Sequence, residues 1–358
     1  MSNFNLFDKY IQKGKFSFEQ LDVLKCFRHY DKNRDGSLDL KEFEGLLTDL
    51  LSDGVGSYPL SNGISEDIFY LLDEDMDGKI SSGEFQRLGY YWLKKVLFPV
   101  SALLVIDVQN DFIDGSLALR NCPAGQDGAG VIPAINSALD TAKFDVVIYS
   151  KDWHPPNHIS FVDNAGLRPI HGSCKVNPAD AKVGDKVVFT HPREMEQILW
   201  PAHCVQDSWG SELNPKLKVV KNGVVVNKGT NPDVDSYSAF WDNAKLSQTE
   251  LAQELSKRGV TDVYLCGLAY DICVGSSGLH SVEHGFRTIL IEDACRGVDL
   301  GDIDRMRKEL NKRGVLHVNS CKVKDIVEAH DRPPNLALKM ARNVALANEF
   351  VKQGAKRS

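Results

Sequence analysis

The sequence predicts an α/β protein: a doubly wound, mostly parallel sheet with helices on both faces, preceded by a small all-α domain. Three observations predict this. Short runs rich in Val, Ile and Leu recur after residue 99, and helical stretches lie between several of them. The first quarter instead carries helical spacing around two acidic loops. The expected domains are residues 1–97 and 98–358, in keeping with roughly 100–200 residues per domain. Hydrophobic residues make up 42% and charged residues 25%, which excludes a disordered or fibrous chain. The longest largely apolar stretch, 96–106, is interrupted by Pro99 and falls well short of the roughly 20 residues a membrane span needs. The opening residues lack a basic start followed by an apolar core, and eight cysteines are too sparse for a disulfide scaffold. Free thiols and a cytoplasmic location, with nuclear access open, are expected. Of the net charge of -7, residues 1–95 contribute 17 acidic against 12 basic side chains. No basic patch points to nucleic acid, so no nucleic-acid or membrane partner is expected.

The acidity belongs to two twelve-residue loops, 31–42 and 73–84. Both fit the EF-hand pattern, in which calcium takes six to eight oxygen ligands. Asp31, Asn33, Asp35 and Glu42 supply side-chain oxygens in the first loop, and Ser37 a backbone carbonyl. Asp73, Asp75, Asp77, Glu84 and the carbonyl of Lys79 do so in the second. Gly36 and Gly78 allow the sharp turn, and Leu38 and Ile80 would pair the loops through a short strand. Ser17 is expected to cap a helix carrying Phe18, Leu21, Leu24 and Phe27. Phe43, Leu46, Leu47 and Leu50 leave the first loop at helical spacing. Ile68, Phe69 and Leu72 enter the second loop, and Phe85, Leu88 and Trp92 leave it. Methionine occurs only at 1, 76, 195, 306 and 340, none on the helices of the hands. Sensor hands open a Met-rich groove, so the pattern favours a structural or modulatory calcium module. The short join 94–99 leaves mechanical coupling to the second domain open.

Beyond residue 99, buried strands are expected at 100–106, 145–149, 224–227, 262–266 and 288–291, because parallel strands covered on both faces read as continuous apolar runs. Helices are expected at 131–142, 247–258, 273–284 and 302–312. Alternation of the two predicts a parallel sheet whose ligands bind beyond the strand carboxyl ends. Residues 157–220, rich in Pro, Gly and His, are expected to cover the site as a loop layer. A final helical pattern contains Leu336, Leu338, Met340, Val344 and Val351; it packs on the body or between subunits, which leaves a homo-oligomer open.

Strand ends and helix starts therefore hold the candidate chemistry. Asp107 follows the first core strand, Lys228 ends the strand 224–227, and Cys273 lies between a strand and a helix. A thiol at a helix N-terminus has a lowered pKa, and the N–H groups there can hold an oxyanion. Asp152 and His154, at i and i+2 of an extended chain, face one way. They aim an oxygen and a nitrogen at one point, with His203 as third ligand and Cys204, His158 and His171 as rivals. Three ligands with open positions is the catalytic pattern for zinc, and mixed N/O donors also admit iron or manganese.

Together the segments VIDVQNDF, SKDWHPPNHISF, WPAHCV, the lysine of VNKGT and GLAYDICV resemble the nicotinamidase branch of the isochorismatase-like cysteine hydrolases, in order over about residues 100–295. The resemblance implies an Asp107–Lys228–Cys273 triad and a metal held by Asp152, His154 and His203. It also implies an aromatic slot of Phe112, Trp200 and Tyr237, a cis bond before Ala269, and an oxyanion hole from the N–H groups of Ala269 and Cys273. The implied reaction is hydrolysis of nicotinamide through a cysteine thioester, with the metal on the pyridine nitrogen, in NAD salvage and pyridine nucleotide biosynthesis. Ile272 stands where some relatives carry Tyr, which leaves the exact amide open. The segment 163–193 is longer than a minimal member needs. Two alternatives remain at this point: a related cysteine amidohydrolase acting on another small amide, and a calcium-responsive binding protein with an inactive hydrolase domain.

Overall fold

The computed structural model describes Phe7, residues 23–60 and residues 63–355. Its contacts divide the chain into two units, Met1–Val100 with Lys322–Ser358, and Ser101–Cys321.

The first unit begins with α1 (Val23–Tyr30), β1 (Ser37–Leu38), α2 (Leu40–Leu50), α3 (Ile64–Leu72), β2 (Ile80–Ser81), α4 (Ser82–Leu88), a π-helical turn Gly89–Leu93 and α5 (Lys94–Leu97). Each loop hands over to its exit helix through a capping box. Asp39 accepts from the Glu42 N–H and Ser81 from the Glu84 N–H, while each glutamate bonds back to the cap residue's own N–H. Two backbone donors are satisfied reciprocally, so the glutamate at loop position 12 is fixed before any cation arrives. The loops pair antiparallel, Leu38 opposite Ile80 and Ser37 opposite Ser81. Phe27 is buried, whereas Leu24 lies at the surface; the expected cap at Ser17 and the positions of Phe18 and Leu21 lie outside the described residues.

The second unit holds β3 (Ser101–Ile106), α6 (Asn110–Ile113), α7 (Ile132–Thr141), β4 (Val146–Asp152), β5 (Lys186–Phe189), β6 (Met195–Ile198), β7 (Val224–Lys228), α8 (Leu251–Lys257), β8 (Asp262–Leu268), α9 (Gly275–Glu283), β9 (Arg287–Arg296), α10 (Leu300–Lys312) and β10 (Leu316–Val318). Six strands form one sheet in the order β10-β9-β8-β3-β4-β7, and every neighbouring pair is parallel. All six residues of β3 and all seven of β8 are buried, as central strands covered on both faces must be. The chain leaves β3 in one direction along the sheet and β8 in the other. Right-handed crossovers then put the connecting helices on opposite faces, and the β3/β8 border is the switch point where a ligand crevice opens.

Two expectations change. The sixth strand, β10, has only three half-buried residues, too few for a period to register. The expected loop layer 157–220 contains an antiparallel hairpin, β5 with β6, over a small core of Ile159, Ala165, Val187, Phe189 and Leu199. Lys186, Glu194, Glu196 and the nearby prolines hide that core in the sequence, because few apolar positions point inward.

After β10 come α11 (Ser320–Val327) and α12 (Pro334–Ala355). The domain expected at 98–358 therefore ends early: Lys322–Ser358 groups with the first unit. The physical reason is burial. Ala337, Leu338, Met340, Ala341 and Val344 of α12 share one core with Phe43, Phe69, Phe85 and Trp92. Among the described residues no helix is long and apolar enough to cross a membrane.

Candidate active site and calcium loops

Asp107 follows the last residue of β3, and its φ of 50° turns the backbone sharply away from the strand. A short polar side chain tolerates this left-handed conformation better than a bulky one. Asp107 is fully buried. Its Oδ1 accepts from the Ser150 hydroxyl at 2.7 Å, and its Oδ2 lies 3.0 Å from Lys228 Nζ. Lys228 reaches in from the end of β7, also buried. It donates to Asp152 Oδ1 at 2.5 Å, to the Ser236 carbonyl at 2.9 Å and to Cys273 Sγ at 3.4 Å. The Cys273 sulfur and one oxygen each of Asp107 and Asp152 lie within 4.8 Å of one another. Asp107, Lys228 and Cys273, each at least 45 residues from the next in sequence, thus meet at the β3/β8 border.

Burial raises the Asp107 carboxyl to about 6, with the ammonium of Lys228 pulling the other way. Burial also pushes the Cys273 thiol well above its ordinary value, which Lys228 only partly offsets. This corrects the expectation of a lowered thiol. Cys273 sits inside a π-helical turn, Tyr270–Val274, ahead of α9, and desolvation outweighs the favourable dipole. Lys228 is held well above the usual lysine range: burial opposes its charge, but Asp107 and Asp152 outweigh it. The resting site at neutral pH is therefore carboxylate, ammonium and neutral thiol.

Next to this cluster stand Asp152, His154 and His203, all buried, with one donor atom each inside 4.8 Å. Asp152 Oδ2 is 3.6 Å from His154 Nε2 and 3.9 Å from His203 Nε2. His154 Nδ1 pairs with the Gly229 carbonyl at 2.9 Å, and His203 Nδ1 with the Pro201 carbonyl at 2.8 Å. A carbonyl can only accept, so each Nδ1 carries a proton and each Nε2 is left facing Asp152. That is the outer-sphere arrangement of metal-binding histidines, and the donor set fits a divalent transition metal. Burial opposes the Asp152 charge, but Lys228 and then His154 more than compensate and hold the carboxyl low. Burial, then the neighbouring His154, pushes His203 down to about 4. Gly229 is required here: its φ is +65°, and a Cβ would stand 2.3 Å from the His154 ring.

The rivals sort themselves. Cys204 lies beside His203, but its thiol contacts the Gly210 carbonyl. His171 pairs with Ser173 in the hairpin region. His158 stacks on His154 at 4.0 Å between centroids, and one of its ring nitrogens groups with His154 and Asp235 rather than with Asp152.

A cleft joins Cys273 to the Asp152, His154 and His203 cluster. Phe112, Trp200 and Tyr237 line it together with Leu117, Leu119, Asp235, Ile272 and Val298. The Leu268–Ala269 peptide is cis, and Ala269 and Cys273 both border the cleft. Sequence reasoning missed Ser150, Asp235 and Gln109. Ser150 shares the face of β4 with Asp152 by the same i, i+2 rule, so a signal for it existed. Gln109 had none. β3 has already ended where Asp152 needs a ladder partner, and the Gln109 side-chain amide takes that place. It accepts from the Asp152 N–H at 2.8 Å and donates to the Asp152 carbonyl at 2.8 Å and the Ser211 carbonyl at 3.0 Å. Asp111 similarly accepts from the Cys204 N–H at 2.7 Å, next to His203.

In the first unit, Asp73, Asp75 and Glu84 bring one oxygen each within 4.8 Å. Asp31 Oδ1 and Asp73 Oδ1 are buried without a hydrogen-bond partner, at position 1 of each loop. Such acceptors are costly unless satisfied, and both loops fit calcium. Across the β1–β2 pairing, Lys79 Nζ lies 2.9 Å from Asp35 Oδ2, and this bond, then those from Ser37, holds the Asp35 carboxyl down. Asn33, Asp77 and Glu42 accept backbone N–H groups of their own loops.

Comparison with known proteins adds the following. A family model described as an isochorismatase domain matches residues 101–318. An EF-hand domain model matches residues 22–54 and an EF-hand model residues 66–89. A nicotinamidase of Acinetobacter baylyi is 36% identical over 222 residues, covering 61% of this chain and 92% of the relative. One of Escherichia coli is 35% identical over 204 residues, covering 56% and 85%. Among solved structures, a yeast nicotinamidase superposes with a TM-score of 0.53 at 30% identity, covering 61% of this chain and 99% of that one. The structure of PnC1 from L. infantum in complex with nicotinate gives a TM-score of 0.50 at 30% identity, covering 62% of this chain and 94% of that one.

Proposed function

The chain belongs to the isochorismatase domain family, and we propose that it is a nicotinamidase, an amidohydrolase that converts nicotinamide to nicotinate and ammonia. One observation carries the reading. Lys228 Nζ stands 3.0 Å from Asp107 and 3.4 Å from Cys273 Sγ, and Cys273 lines a cleft together with Asp152, His154 and His203.

Asp107 takes the proton from the Cys273 thiol as sulfur attacks the carboxamide carbon. With a carboxyl near 6, the base is ionised at neutral pH and still basic enough to matter. Lys228 keeps both anionic forms accessible in a site without bulk water. The developing oxyanion rests on the N–H groups of Ala269 and Cys273. The C–N bond breaks, and Asp107 returns the proton to the leaving ammonia. Water then attacks the thioester with Asp107 again as base, releasing nicotinate and restoring the thiol.

Asp152, His154 and His203 would hold one divalent transition metal; three protein ligands with open positions suit zinc, and the mixed donors also suit iron or manganese. When bound, such a metal supplies Lewis acidity and a coordination position for a heteroaromatic nitrogen. Phe112, Trp200 and Tyr237 would wall a flat ring, and Ile272 sets how much room remains beside it. The calcium loops would take Asp31, Asn33, Asp35, Ser37 and Glu42, and Asp73, Asp75, Asp77, Lys79 and Glu84.

Ammonia release from nicotinamide, set beside a panel of other small amides, tests this reading. Nicotinamide is expected to give the highest kcat/KM. Preference for a non-aromatic amide would move the chain to another branch of the family, and no release from any amide would contradict the enzyme itself.

A further inference from the structure

The apolar groove of the EF-hand pair is filled by the chain's own C-terminus. On α12, Ala337, Met340, Ala341 and Val344 are buried in one core with helices α1 to α4. Their spacing is i, i+3, i+4 and i+7, the anchor pattern of a helix laid into a hydrophobic groove. Met340 thereby supplies the methionine that the hands' own helices lack. Polar contacts tie the ends. Trp92 Nε1 donates to the Ala337 carbonyl at 3.0 Å inside the core. Just before α12, the Arg332 N–H donates to the Ser52 carbonyl at 2.7 Å, and its guanidinium to the Leu50 carbonyl. Tyr58 donates to Asp331 at 2.7 Å.

The far end of the helix touches the second calcium loop itself. Glu74 lies between the ligands Asp73 and Asp75. Its carbonyl accepts from Lys352 Nζ at 2.9 Å, and its Oε1 from Asn348 Nδ2 at 3.1 Å. Its own N–H donates to Oε1 of Glu84, the position-12 ligand, at 3.0 Å. One residue thus connects the docked helix to three cation ligands.

We propose that residues 334–355 are the built-in target of the EF-hand pair, and that docking of this helix and calcium binding in the second loop favour each other. The sign follows from two features. Calcium shifts sensor hands toward the open arrangement that exposes the groove, and an occupied groove requires that arrangement. The docked helix also fixes the loop at Glu74, so less ordering remains when the cation enters. Linkage makes the effect reciprocal: calcium holds the helix down, and the helix raises calcium affinity by the same factor. The charge of Lys352 acts against the cation, but its side chain lies at the surface, where such effects are screened. The inference rests on the calcium reading of the loops and is independent of the amidase chemistry.

Two measurements on the full chain test it. Hydrogen exchange across residues 334–355 is expected to slow about fivefold or more in calcium relative to chelator, the lower end of ordinary coupling. Calorimetric titration with calcium, in a Glu42→Gln background that weakens the first loop, is expected to show Met340→Glu lowering second-loop affinity about fivefold or more. If Met340→Glu does not fold, the surface double variant Asn348→Ala with Lys352→Ala is expected to move affinity the same way. Equal exchange in calcium and chelator, faster exchange in calcium, or affinity within about twofold of the parent in every folded variant would overturn the coupling. A parent protein that binds no calcium would overturn it together with the loop reading.

Discussion

Each unit of this protein sets a lysine against carboxylates, and the two settings differ in one variable, water. Lys228 has a side-chain exposure of 0% between Asp107 and Asp152, whereas Lys79 has 48% beside Asp35. The buried ammonium is held by three oxygens and faces a sulfur. The exposed one makes a single contact across a two-residue ladder. Buried partners left unpaired carry the full cost of desolvation, while exposed partners return to solvent. The comparison predicts that equivalent substitutions in the two units will have very unequal effects.

The largest effect belongs to the nucleophile beside Lys228. Cys273→Ala is expected to reduce ammonia release to background while nicotinamide still binds, read by calorimetry; near-normal turnover would remove the assignment. Lys228→Met comes next, with an expected loss of about 10²–10⁴ in kcat/KM. Its stability is expected to fall by about 3–5 kcal/mol in denaturant titration, because two buried carboxylates lose their shared cation. Gln109→Met removes the amide that satisfies both backbone groups of Asp152. Affinity for added cobalt(II) is expected to fall about 10–100-fold, with alkylation of Cys273 in metal-free protein little changed. Metal affinity equal to wild type would make Gln109 a packing residue only.

The pH profile of kcat/KM sharpens the same comparison. Burial raises Asp107 to about 6, and only its ionised form accepts the thiol proton. Activity should therefore be full above that value and fall as pH drops through it. A profile flat down to the ordinary carboxylate range would mean that Asp107 is better solvated than its surroundings indicate. The smallest effect is expected at Lys79: Lys79→Met should leave ammonia release unchanged and alter calcium affinity by no more than about fivefold. A larger change would show that the surface pair is less screened than its exposure implies.

How far the sequence could be read follows the same division between local and assembled features. The calcium loops were legible because their ligands lie within twelve residues and each glutamate caps its own helix. Asp107 and Cys273 were legible as strand-end positions because buried parallel strands leave apolar runs, whereas Lys228 ends β7, which was expected to be buried but is an edge strand with Val225 and Asn227 exposed. Their convergence depended on the sheet order, which no local pattern encodes. The raised thiol of Cys273 was missed because a helix start is visible in a sequence and desolvation is not. Gln109 stayed hidden because its role exists only where β3 stops and β4 continues. The pattern of α12 identifies an apolar face but not its partner, which the fold shows to be the core of the first unit. The hairpin of β5 and β6 escaped because its buried positions are two apolar residues, Val187 and Phe189, and the polar Gln197 in an otherwise charged ribbon.

The most direct measurement is an intact-mass analysis after rapid acid quench of full-length protein mixed with nicotinamide. The account predicts a nicotinoyl thioester that maps to Cys273, forms within one turnover and is absent in Cys273→Ala. Steady ammonia release with no covalent adduct at any time, or an adduct mapped to another cysteine, would contradict it.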